Sequence, residues 1–169
     1  MYRRILVPLD GSPRTEAVLP QVIELARPFG SRVTLLHIAK PTYQPTDRPG
    51  RTPAAPPFPG APAVVPERSV SSTVLQYGYN STQLEEARAH VEAVARRLSA
   101  EGIAVEVVVE ADPDVGGRIA QIAQTGDADL IALTTHARAG WERFVFGSIL
   151  DRVVRATTVP LLIVRMDDA

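Results

Sequence analysis

Five largely apolar runs of strand length alternate with segments of helical period along the chain. That alternation restricts the fold more than any other feature of the sequence. The runs are Ile5-Leu6-Val7-Pro8-Leu9, Arg32 to Ile38, Ile103 to Val109, Leu130 to Leu133 and Pro160 to Val164. Their apolar residues follow one another instead of alternating with polar ones, so both faces of each strand need cover. Helices are expected from about Pro13 to Arg27, from Thr82 to Ala100, from Asp112-Pro113 to Gly126, and onward from Gly147-Ser148. Ser12 suits the cap of the first, and Pro20 inside it is expected to bend it. Thr82-Gln83-Leu84-Glu85 matches a capping box. Strand and helix in strict turn give an α/β class with a doubly wound sheet.

One stretch breaks the pattern. Nine of the fifteen prolines lie between Pro41 and Pro66, among Gly, Ala, Thr and Arg. The stretch has no apolar period, and proline cannot donate to a sheet ladder. It and its tail, about 41–78, read as a mobile insertion without a regular ladder. Neither flank is a complete fold, so the expected organisation is a single domain over 1–169 carrying this insertion.

Several function classes drop out on composition. Cysteine is absent, which removes disulfides, thiol chemistry and iron–sulfur clusters. Net charge is −1, which argues against a nucleic-acid or membrane surface built on bulk charge. No run reaches the roughly 18–20 apolar residues of a membrane helix, and the N-terminus lacks the features of a secretion signal; a cytoplasmic location is expected. Seventeen of the eighteen basic residues are Arg, and the exception, Lys40, follows Ala39. A phosphate loop with Lys after Gly is therefore ruled out. His37, His90 and His136 show no metal-ligand spacing, and no Gly-x-Ser-x-Gly elbow is present.

Ligands of open α/β sheets sit beyond the carboxyl ends of strands. Two segments there stand out: Asp10-Gly11-Ser12 and the stretch from Thr134 to Ser148. Val7-Pro8-Leu9-Asp10-Gly11-Ser12 resembles the opening of universal stress proteins. Thr135 to Gly140, Phe146-Gly147-Ser148 and Val159 to Val164 resemble their C-terminal half. The resemblance covers all but the Pro-rich stretch. It implies an open five-stranded parallel sheet of order 3-2-1-4-5 with helices on both faces, similar to adenine nucleotide alpha-hydrolases. It also implies a homodimer through the edge strand Pro160 to Val164.

One branch of that family binds ATP, with Mg2+ held through the phosphates, by a motif of Gly, two residues, Gly, nine residues, Gly, then Ser or Thr. In this chain the motif falls on Thr134, Ala137, Gly147 and Ser148, so the first two glycines are replaced. The resemblance extends the ligand contacts to Leu9, Asp10, Ile38 and Ile149; within and beside the motif, His136 fits loop packing or a ligand contact, and Arg138 fits a phosphate partner or a solvated surface charge. Free N–H groups where Gly147-Ser148 opens a helix attract phosphate. Ser148 also fits a plain helix cap with Asp151 as its partner. Asp10 fits either a ligand contact near adenine or ribose, or an acceptor for the turn that follows it. Trp141, Phe144 and Phe146 fit either loop packing or a partner surface. The function implied is ATP binding as a stress-response switch or regulator, with at most slow ATPase activity. The alternative is a nucleotide-free family member acting through dimerisation and protein contacts.

Overall fold

The computed structural model describes residues 2–45, 75–78, 81–136 and 148–166. The chain forms β1 (Arg4–Pro8), a 3-10 turn (Thr15–Val18), α1 (Leu19–Phe29), β2 (Arg32–Ala39), β3 (Thr42–Pro45), β4 (Leu75–Gly78) and α2 (Ser81–Ala100). Then follow β5 (Ala104–Ala111), α3 (Val115–Thr125), β6 (Leu130–His136), α4 (Ser148–Ala156) and β7 (Leu161–Met166). Five strands make one sheet of order β5-β2-β1-β6-β7, every neighbouring pair parallel. Numbered among themselves, these strands run 3-2-1-4-5, as expected. The order reverses between β1 and β6, so the ends of those strands open onto one crevice.

Both faces are covered, which is why the strands carry continuous apolar runs. On one face Ile5, Val7, Val33, Leu35 and Ala132 pack with Val22 and Ala26 of α1 and with Val91, Val94 and Leu98 of α2. On the other, Leu6, Leu36, Ile38, Ile131 and Leu133 pack with Ile119 and Ala123 of α3 and with Leu150 and Val153 of α4. The start of β1 is tied to the start of β6: the Arg3 and Arg4 N–H groups donate to the Asp129 carboxylate at 2.7 and 3.2 Å.

The helix starts differ from expectation. Pro20 sits in the first turn of α1, because a 3-10 turn occupies Thr15–Val18. There its missing N–H would have had no partner, so it initiates the helix where a bend was expected. Ser12 does not cap; its own N–H donates to Asp10 Oδ1 at 2.9 Å. Pro28 is accommodated in the last turn of α1, and the stop falls at Gly30, whose φ is 59°. α3 opens two residues after Pro113 because Asp114 caps it, accepting from the Gly117 N–H at 3.1 Å.

The ends of the Pro-rich stretch do form a ladder, contrary to expectation. β3 pairs antiparallel with β4, Thr42 opposite Gly78 and Pro45 opposite Leu75. β3 carries one proline, Pro45, opposite Leu75 at the end of the described ladder. By its contacts the chain divides into two compact units, Thr42–Gly78 and the remainder. The proposed mobile insertion otherwise falls on 46–74, outside the described residues.

α3 and α4 touch closely at Gly116. A Cβ there would lie 2.6 Å from Arg152 Cβ and 2.9 Å from the Ile149 carbonyl oxygen. Gly116→Ala is expected to destabilise the protein by about 1–3 kcal/mol through overpacking, outweighing the roughly 1 kcal/mol gain in helix propensity. Urea denaturation reads this directly, and a stabilised variant would show that the two helices separate freely.

Candidate functional site

A cavity of about 530 Å³ opens where β1, β2 and β6 end. Its walls combine Leu9, Ile38, Ile119, Leu133, Ile149 and Leu150 with the polar side chains of Asp10, Thr15, His37, Lys40, Thr134 and Thr135. That mixture, mostly apolar with a few convergent polar groups, suits a small organic ligand with hydrogen-bonding edges. It lies where the strand order reverses, as the fold requires.

The first post-strand turn is built around Asp10. Its Oδ1 accepts from the Ser12 N–H at 2.9 Å and from the Thr15 hydroxyl at 3.0 Å. The Asp10 N–H donates back to Thr15 Oγ1 at 3.3 Å. Gly11 between them has φ 86°, a conformation that residues with a Cβ rarely adopt. Asp10 therefore fulfils the turn-acceptor role. Partial burial pushes the Asp10 carboxyl up, yet the bonds from Ser12 and Thr15 outweigh it and leave its pKa lowered. A carboxyl with a lowered folded value adds stability above its unfolded pKa, and that stability fades as pH falls through the folded value. Asp10→Asn is thus expected to lose stability at pH 7, with the gap to wild type closing from about pH 4 downward. Urea titrations at several pH values check this; a gap independent of pH would refute it.

His37 forms part of the wall at the end of β2. Its Nδ1 is buried with no hydrogen-bond partner among the described residues. Burial, opposed by the Leu9 backbone and the Asp10 charge, leaves its pKa lowered, so near neutral pH the ring is uncharged. On the neighbouring α2, His90 Nε2 lies 3.2 Å from Glu16 Oε1.

Of the residues singled out from sequence, Leu9, Asp10, Ile38, Thr134 and Ile149 meet in this cavity. Ser148 is the first residue of α4, and His136 the last of β6. Asp151, the expected partner of Ser148, pairs with Arg155 at 2.9 Å. Ala137, Arg138, Trp141, Phe144, Phe146 and Gly147 lie outside the described residues. Sequence reasoning missed Thr15, His37, Lys40, Val115 and Ile119. The strand-end rule was applied after β1 and β6 but not to the end of β2. There it would have marked His37 to Lys40.

Comparison with known proteins decides the family. The model of the Universal stress protein family matches residues 1–58 and 63–165. The chain belongs to the universal stress protein family. A curated universal stress protein of Methanocaldococcus jannaschii is 25% identical over 166 residues, covering 98% of this chain and 83% of the relative. A universal stress protein from Archaeoglobus fulgidus, solved in complex with dAMP, matches with a TM-score of 0.61 at 19% identity, over 96% of this chain and 97% of that one. A universal stress protein in complex with cAMP matches with a TM-score of 0.59 at 16% identity, over 98% of both chains. These structural matches establish the α/β fold, in agreement with the strand order. Among the described residues no helix is long and apolar enough to cross a membrane.

Proposed function

We propose that this universal stress protein binds an adenine nucleotide, ATP foremost, in the cavity at the ends of β1, β2 and β6, and serves in the cytoplasm as a stress-response switch. The observation that carries the reading is the cavity itself. A half-apolar slot for a flat base, lined by Ile38, Leu133 and Ile149, lies beside hydroxyls of Thr134 and Thr135. The helix that begins at Ser148 starts beside it, and the opening amides of a helix attract phosphate. Asp10 Oδ2 supplies an acceptor for a ribose hydroxyl or the adenine amine. The family relatives bound to dAMP and cAMP support the ligand class. Mg2+ would be held through the phosphates: no cluster of three His, Asp or Glu side chains suited to a metal occurs among the described residues.

In this reading 1–169 is one domain with an insertion at about 41–78, and two copies pair through β7. That strand forms one edge of the sheet, and Leu161 to Val164 along it are all half-buried. A free apolar edge is a pairing hazard that dimerisation removes. Sedimentation is expected to give twice the chain mass of 18.3 kDa; a monomer at micromolar concentration would contradict it. The nucleotide itself is tested on protein purified without added ligand, denatured, its released small molecule identified by mass spectrometry. ATP or another adenine nucleotide near one per chain is expected. ADP accumulating with time would show slow hydrolysis. An empty protein that also ignores added Mg-ATP would favour the nucleotide-free alternative, for which Thr134 and Ala137 in place of glycine are the specific sequence argument.

A further inference from the structure

A second groove adjoins the cavity. It measures about 220 Å³ and is lined by Lys40, Pro113, Asp114, Val115, Gly116, Ile149 and Arg152. Lys40, Val115 and Ile149 belong to both hollows, so a ligand leaving the cavity past these three side chains enters the groove. The groove's charges are one lysine and one arginine against one aspartate. Arg152 is tied to Asp114, its Nε and a terminal nitrogen meeting Oδ2 at 3.2 and 2.7 Å. The Arg152 bond, with the Gly117 N–H, holds the Asp114 carboxyl below the usual carboxylate range. Asp114 therefore stays ionised, its charge paired with that of Arg152. Lys40 is exposed and has no ion-pair partner among the described residues. It is also the chain's sole lysine, set at the junction of the two hollows.

We infer that Lys40, with Arg152 behind it, forms an anion subsite for a second phosphate group, so that the protein prefers an adenine nucleotide phosphorylated at two places over the monophosphate. The subsite is separate from the start of α4 at Ser148, and the inference rests on the nucleotide reading above. The second phosphate has two chemical sources: a branch on the ribose, or the far end of a polyphosphate chain. An ammonium on a flexible stem suits either, since it recognises charge without a fixed fork. Arg152 contributes the nitrogen positions that Asp114 leaves open.

The probes are AMP, adenosine 3′,5′-bisphosphate and diadenosine tetraphosphate, titrated by calorimetry into the full chain. One or both of the probes with more than one phosphate is expected to bind about ten-fold tighter than AMP, the scale of one charge-assisted hydrogen bond. A gain with the bisphosphate alone identifies the ribose branch, and with the tetraphosphate alone the linear chain. Lys40→Gln is expected to bring that ratio close to one, and Lys40→Arg to keep it. Asp114→Asn keeps a capping oxygen for the Gly117 N–H and frees Arg152, so it is expected to raise the ratio several-fold. Acetylation of the Lys40 amine, read by mass spectrometry, is expected to slow with the preferred probe and not with AMP. Equal binding of all three probes overturns the subsite and leaves the nucleotide reading intact. Absence of binding by any of them overturns both.

Discussion

Leu35→Ala is expected to lower the free energy of unfolding by about 2–5 kcal/mol. Leu35 is fully buried on β2, the strand between β1 and β5. Its side chain belongs to the core shared with Val7, Val22, Val91 and Val94, so α1, α2 and the sheet all meet around it. Parallel strands covered on both faces leave no room for a cavity to collapse, which places the cost toward the upper part of that range. A domain of this kind is stable by about 5–15 kcal/mol, so the variant spends a large share of the total. Val154→Ala is the control: Val154 is 42% exposed on α4, and the change should fall within about 0.5 kcal/mol. Urea denaturation monitored by circular dichroism separates the two. Equal small effects would mean that the α1/α2 face is not packed as described.

The largest expected effect on binding comes from Ala39→Trp. Ala39 ends β2, lines the cavity and is half-buried. Its backbone carbonyl accepts from the Asp112 N–H at 3.1 Å, and a side-chain change leaves that bond in place. An indole at this position adds a large side chain to the cavity wall. Affinity for Mg-ATP is expected to fall by about 100-fold or more, near 3 kcal/mol. The thermal midpoint is measured beside it, so that loss of binding is read apart from loss of fold. Loss of binding with an unchanged fold would locate the ligand in this cavity. Unchanged binding would locate it elsewhere.

Much of the fold was legible because one physical rule governs it. Covered parallel strands must be apolar on both faces, so Ile5 to Val7, Val33 to Leu36 and Leu130 to Leu133 announced themselves. The strand order was not legible from periodicity; it came from the resemblance, and β5-β2-β1-β6-β7 agrees with it. Helix starts were the weaker part. Ser12 and Asp112 are both good caps by residue type, but α1 and the 3-10 turn before it start without a side-chain cap, and Asp114 caps α3 through a bond that depends on the turn geometry. The β3–β4 ladder was hidden because proline density was averaged over the whole insertion, whereas Thr42–Pro45 and Leu75–Gly78 pair.

The site was partly legible for a different reason. Asp10 and Thr134 follow strands and carry groups that chemistry needs, so they were visible in one dimension. Val115 and Ile119 read as ordinary helical core, and only the packing of α3 beneath the ends of β2 and β6 turns them into cavity wall. His37 was visible as a residue on a strand but not as a wall of the cavity with a buried, unpartnered Nδ1. Lys40 was set aside because it does not follow glycine, a test suited to one phosphate loop and uninformative about a lone ammonium at a strand end.

The central claim is that the cavity at the ends of β1, β2 and β6 holds an adenine nucleotide. Calorimetric titration of Mg-ATP into protein stripped of bound small molecules tests it most directly. Saturable binding near one nucleotide per chain, abolished in Ala39→Trp and competed by AMP, is the predicted result. A titration without binding heat at several temperatures, on protein that retains its cooperative unfolding, would contradict it.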